Sequence, residues 1–277
     1  MIGWRFAFTR RWAGYLALTV VFAIVCVSLG FWQLARRAEA RAEIDRVESN
    51  WDSAPVPIGD VLPELDSFDA DDKWMPVELT GRYLVDEQLL ARNRPLNDTT
   101  GFEVLVPFEL ADGTVFIVDR GWVPTGNDQD APDGVPPPPT GEVTVVARLK
   151  AGEPTVIGRS APDGQVATIN LPEIAALLDE PTYTGAYGLL ASEDPEVARP
   201  VAATKPYPDE GPHLSYAFQW FVFALLGFIG LGFAVRQEYR AVNADTPQER
   251  ERAAARAAKA ARKQRSDAEI EDELLGR

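Results

Sequence analysis

Twenty-four consecutive residues from Trp12 to Ala35 carry no charge, and a second uncharged run of twenty-two extends from Leu214 to Val235. At about 1.5 Å of rise per residue, each run is long enough as a helix to cross a hydrocarbon layer of roughly 30 Å. A chain with one such run near each end is expected to be a membrane protein that holds its middle portion on one side. A cleaved signal peptide is the rival for the first run, because Arg5, Arg10 and Arg11 precede it and Ala38-Glu39-Ala40 follows it. Signal h-regions span about 7 to 15 residues, so the length favours a retained anchor.

Charge is segregated along the chain. Residues 51 to 211 carry ten Lys/Arg against twenty-nine Asp/Glu, whereas the segments before and after carry seven against four and ten against nine. An acidic middle domain repels phosphate backbones, which argues against a nucleic-acid partner. Cys26 is the only cysteine and His213 the only histidine, so neither a disulfide framework nor a thiolate or mixed Cys/His zinc or copper site is available. Lys/Arg counts beside the first span do not decide orientation, with three before it and four after it (Arg36, Arg37, Arg41, Arg46). The long acidic loop can translocate regardless of charge, and the tail carries Arg236, Arg240 and a dense basic stretch. Both termini in the cytosol fit best.

Arg36 to Asn50 lacks Gly and Pro and reads as a helical continuation, while Asp52 to Asp72 is expected to be a surface connection. The pattern then turns to strands over Val77 to Thr80, Phe102 to Leu110, Thr114 to Val118, Glu142 to Leu149 and Tyr183 to Leu190. Asp112-Gly113 is a hairpin signal. Gly126 to Thr140, with four consecutive prolines, is expected to be an extended exposed loop, and Leu171 to Asp179 a short helix. Thr246-Pro247-Gln248-Glu249 reads as a capping box opening a tail helix that is either solvated or held on a membrane surface. The expected fold class is an α+β membrane protein: cytosolic 1–11, a span at 12–35, a mainly antiparallel β domain at 36–212 outside the cytosol, a span at 213–235, and a cytosolic basic helical tail at 236–277.

This connectivity puts the end of the first span and the start of the second at one membrane surface. Trp32, Gln33, Arg36 and Arg37 come from one helix; His213, Tyr216 and Trp220 form a stripe on the other, with the small Ala217 between them. A flat ligand could lie against such a stripe. Read singly, the aromatics fit an interfacial belt and the arginines snorkelling anchors.

Leu29-Gly30-Phe31-Trp32-Gln33-Leu34-Ala35-Arg36 resembles the Leu-Gly-x-Trp-Gln-x-x-Arg signature that closes the first span in the surfeit locus protein 1 family of cytochrome c oxidase biogenesis factors. Gly81-Arg82-Tyr83, Gly101 to Phe108 and Asp119-Arg120-Gly121-Trp122-Val123-Pro124 are similar to the family's pattern in the same order. Gly211-Pro212-His213-Leu214-Ser215-Tyr216-Ala217-Phe218-Gln219-Trp220-Phe221 resembles its His-Leu-x-Tyr-Ala-x-x-Trp-Phe motif at the second span. Asp119 stands where the family usually has Asn, and the Trp often found before the late helix is missing near Ala167 to Asn170.

The resemblance implies a non-enzymatic assembly factor in the inner (plasma) membrane, with its domain on the extracytoplasmic side. Its expected task is to assist haem a binding or insertion into the catalytic subunit of a haem-copper oxidase. Haem a is then a transient cofactor, with His213 the metal ligand and Tyr216, Trp220, Trp32, Gln33, Arg36, Arg37, Arg120 and Trp122 around it. The implied partners are the oxidase subunit, a haem a synthase and membrane lipid. Arg120-Gly121-Trp122, taken alone, reads as a strand-end turn. Two alternatives stay open: a cofactor-free scaffold for an assembly intermediate, and a two-span sensor. The sensor's output would have to lie in the segment after Val235, which is too short for a signalling domain.

Overall fold

The structure, a computed structural model, describes residues 3–127 and 130–274. In chain order its elements are α1 (Arg10–Asn50), β1 (Val56–Pro57), α2 (Ile58–Val61), β2 (Pro76–Tyr83), β3 (Leu89–Leu96), β4 (Thr99–Leu110), β5 (Val115–Pro124), β6 (Val143–Ala151), β7 (Gln165–Val166), α3 (Leu171–Ala175), β8 (Ala186–Asp194), α4 (His213–Val242) and α5 (Pro247–Leu274). The chain divides into two compact units, Met1–Glu39 with Glu210–Arg277 and Ala40–Asp209.

In the helical unit, α1 and α4 are each long and apolar enough to cross a membrane. They meet through small side chains: Ala23, Cys26, Ala217 and Ala224 are buried. A Cβ on Gly30 would come within 2.7 Å of the Phe221 ring. Hydrocarbon gives apolar helices no solvent-driven reason to associate, so close backbone approach over small residues supplies the packing. At the far end of α4, the Thr246 hydroxyl donates to Asn243 O at 2.7 Å, and Glu249 accepts from Arg256 at 2.6 Å. These side chains therefore turn to partners other than the reciprocal pair a capping box implies.

In the other unit the strands form one eight-stranded sheet in the order β1-β2-β6-β8-β5-β4-β3-β7, and β2 also pairs with β4. The longer ladders, β2 with β6, β6 with β8, β4 with β5 and β3 with β4, are antiparallel, while β5 runs parallel to β8. Because β2 serves both β4 and β6, the pairings return on themselves. Gly81 is where both ladders meet, pairing with Leu110 and Val143. A Cβ there would lie 2.0 Å from Glu109 O, so only glycine permits the crossing.

Successive strand residues face opposite sides. On β5, Phe116 and Val118 enter one core with Val104, Val106 and Phe108, whereas Val115 and Ile117 enter a second with Ile169, Leu171, Val47 and Trp51. The last two belong to the end of α1 and the residue after it, so the helical continuation to Asn50 is a docking element. Glu43 on that stretch accepts hydrogen bonds from Trp74 Nε1 at 2.9 Å and Lys73 Nζ at 2.6 Å.

Several local expectations are corrected. Asp52 to Asp72 is more than a surface connection, because Ile58 and Leu62 join the first core with Leu65 and Phe68 packed against it. The proline run lies outside any strand, as expected, yet Pro138 and Pro139 are buried. The late helix spans only Leu171–Ala175, with Asn170 Oδ1 accepting from Glu173 N at its start. The last strand begins at Ala186, after a segment in which Tyr183 is buried. Arg120-Gly121-Trp122 is not a strand-end turn: it lies inside β5.

Candidate functional site

His213 opens α4, and its Nδ1 lies 2.8 Å from Gln33 Oε1 on α1. A carboxamide oxygen only accepts, so this contact places the ring hydrogen on Nδ1 and leaves the lone pair on Nε2. Metal-binding imidazoles are commonly held this way, with one nitrogen anchored and the other free to ligate. Gly211 precedes the helix with a φ of 66°, and a Cβ on it would sit 3.2 Å from His213 Nε2. A side chain at this position would crowd the Nε2 edge of the ring, and glycine tolerates the left-handed backbone that the turn requires.

Gln33 and Arg37 are four residues apart and share one face of α1. Arg37 Nε meets Glu210 Oε2 at 3.0 Å, so this face holds residues on both sides of the turn into α4. Trp32 and Arg36 share the neighbouring face, and both are more than half exposed. Arg36 pairs with Glu39 one turn on, at 2.6 Å. An exposed pair of this kind is worth little and yields readily to another anion.

The expected stripe on α4 divides. Ala217 is buried and Trp220 packs against Ala23, Cys26 and Ala224 in the helix interface, while Tyr216 remains 47% exposed. The structure therefore brings His213 and Gln33 into contact, leaves Trp32, Arg36 and Tyr216 open, and uses Trp220 for packing.

Arg120 and Trp122 belong to the β unit. Between Glu103 and Leu105 of β4 the partners on β5 step from Trp122 to Asp119, so β5 carries one extra residue. Gly121 adopts a φ of 130° there, and a Cβ on it would lie 2.5 Å from Val201 O. The bulge reverses the alternation beyond it, so Val123 joins the first core and Trp122 the opposite face, while Arg120 keeps the side of Phe116 and Val118. Arg120 enters the interior, where it is fully buried and its Nη2 donates to Glu193 Oε1 at 2.7 Å and its Nη1 to Pro136 O at 2.9 Å. Tyr83 Oη donates to the other Glu193 oxygen at 2.9 Å. Burial and the Glu193 charge hold the Tyr83 hydroxyl above its ordinary range, so it stays a donor.

Trp122 turns the other way, donating Nε1 to Arg94 O at 2.8 Å. With Arg94, Glu103 and Asp119 it lines a cavity of about 230 Å³. Asp119 is buried, and desolvation together with the Glu103 charge pushes its carboxyl up to about 8. No spacing in the sequence marks Glu193 as the partner of Arg120, 73 residues earlier. Gly211 does carry a signal, because a Gly-Pro pair immediately before a helix marks a constrained turn.

The arrangement at the ends of α1 and α4 is what the Trp-Gln and His-Leu-x-Tyr-Ala motifs encode. The model of the SURF1 family matches residues 20–225, from within α1 to within α4. The chain belongs to the SURF1 family. Proteins named as uncharacterised SURF1-like proteins from Mycobacterium bovis and Mycobacterium tuberculosis are 38% identical to it over 245 residues, covering 86% of this chain and 89% of theirs. A SURF1-like protein from Rickettsia conorii is 24% identical over 234 residues, covering 82% of this chain and 92% of its own. SURF1 proteins are known generally as cytochrome c oxidase assembly factors rather than enzymes. The family match ends before Arg236, so α5 lies outside it.

Proposed function

We propose that this SURF1 chain assists assembly of cytochrome c oxidase by holding haem a, or passing it to the catalytic subunit, at the ends of α1 and α4. The observation that carries the reading is the His213–Gln33 contact, which engages Nδ1 and leaves the Nε2 lone pair for a ligand. A bound haem supplies an iron that accepts an axial nitrogen and two propionates that seek cations. His213 would ligate, Trp32 and Tyr216 would offer exposed rings to the macrocycle, and Arg36 would exchange Glu39 for a propionate. Arg37 and Arg120, engaged by Glu210 and Glu193, are assigned to holding the surrounding structure, as Trp220 is to helix packing. In this reading the acidic β unit lies on the extracytoplasmic side of the plasma membrane, both tails lie in the cytosol, and the oxidase's catalytic subunit and a haem a synthase are the partners.

The visible spectrum of the detergent-purified protein from cells that make haem a tests this. A haem band that copurifies and responds to changes at His213 supports the reading. Oxidase maturation that depends on the protein, with no haem bound under any condition, selects a cofactor-free scaffold whose exposed Trp32 and Tyr216 meet a partner helix.

A further inference from the structure

The opposite end of the helical unit holds a cavity of about 340 Å³ where α4 turns into α5. Its charge is unbalanced. Arg236, Arg240, Arg252 and Arg256 line it against a single carboxylate, Glu249. Glu249 is buried, accepts from Arg256 at 2.6 Å and lies 3.8 Å from Arg252, while Arg240 acts on it through charge alone. Arg236 forms no ion pair among the described residues, and the nearby Glu238 is already paired with Arg11 at 2.6 Å. Four guanidiniums around one carboxylate favour an additional anion, and their planar donor forks match phosphate oxygens.

The other wall is apolar. Gly232 and Val235 line it from the last turn of the uncharged run, and a Cβ on Gly232 would meet nothing within 4 Å. Trp4 closes the side, stacked on Tyr239 with ring centroids 4.5 Å apart. It is fixed by its neighbour Gly3, whose N–H donates to the buried Asn243 Oδ1 at 2.7 Å. Arg236 is the first charge after the span. The cavity thus passes from hydrocarbon-like to cationic where acyl chains give way to headgroups.

We propose that this α4–α5 corner binds the phosphate of an anionic membrane phospholipid, with the lipid's chains against the Gly232–Val235 face of α4. Inorganic phosphate shares the recognised chemistry, but the apolar wall has a role only for a lipid. The site lies outside the matched family region and is independent of any haem function.

Native mass spectrometry of the delipidated full chain in detergent, titrated with phosphatidylglycerol or phosphatidylcholine, reads the site directly. Phosphatidylglycerol should half-saturate the wild type at a concentration about tenfold lower than phosphatidylcholine, and Arg236→Gln with Arg240→Gln should remove that preference. Arg236→Lys with Arg240→Lys should retain most of it. Lys259→Gln with Lys263→Gln, further along α5, should leave it unchanged. If the double Gln variant fails to fold, Arg236→Gln alone carries the comparison. Equal binding of the two lipids overturns the proposal, as does equal loss in the Lys259/Lys263 variant, which would mean diffuse surface attraction. Displacement of phosphatidylglycerol by inorganic phosphate at equal concentration would reassign the corner to a free anion.

Discussion

Arg120 and Glu193 form an ion pair inside the β unit with side-chain exposures of 0% and 1%. The two residues come from β5 and β8, and Arg120 continues the alternation that carries Phe116 and Val118 into the first core. Removing one partner of such a pair leaves a buried uncompensated charge, which costs far more than the intact pair contributes.

Arg120→Met should therefore destabilise the protein by about 3–5 kcal/mol, and Arg120→Met with Glu193→Gln should recover most of that loss. Thermal melting of the detergent-purified chain measures both. Equal stability of Arg120→Met and wild type would mean that the pair does not organise the interior.

Asp119 contributes a pH dependence of definite sign. Its carboxyl is raised from 3.8 to about 8 by burial and then by the Glu103 charge. Between those values the folded protein keeps a proton that the unfolded chain releases, so this contribution to stability is complete below the unfolded value and is lost as pH rises through about 8. Asp119→Asn keeps an acceptor for Gly121 N–H, bonded at 2.9 Å. It should leave melting near pH 4 almost unchanged and stabilise the protein at pH 8 to 9 by about 1–3 kcal/mol. A wild-type melting temperature that is flat over this range contradicts the assignment.

If His213 ligates haem iron, His213→Ala should abolish haem occupancy without lowering the melting temperature of the β unit. Gln33→Leu removes the anchor for Nδ1 but keeps the ligand, so haem affinity should fall about 10- to 100-fold. Absorbance titration distinguishes the two. Wild-type occupancy and spectrum in His213→Ala would end the ligand assignment.

Orientation is testable with single cysteines once Cys26 is replaced. A cysteine at the exposed Ala111, in the turn between β4 and β5, should react with an impermeant thiol reagent in intact cells, and one at the exposed Ala258 on α5 should react only after permeabilisation. The reverse labelling would invert the topology.

The parts of this protein legible in its sequence are those that depend on consecutive residues. A span requires only an unbroken apolar run, a hairpin only Asp112-Gly113 between alternating segments, and the continuation to Asn50 only the absence of helix breakers. The Trp32-Gln33 and His213-Tyr216 motifs were likewise readable, and with them the family. What the tertiary structure decided were contacts between segments remote in sequence. Gln33 reaches His213 across 180 residues because α1 and α4 pack over small side chains. Arg120 follows Phe116 and Val118 inward, but Trp122 turns to the opposite face and Val123 takes the inner one because one extra residue in β5 reverses the period-two alternation, a shift that appears only when β5 is paired with β4. The same holds for Ile58, Leu62, Pro138 and Pro139, whose burial depends on which strands come to lie beside them and not on the composition of their own segments.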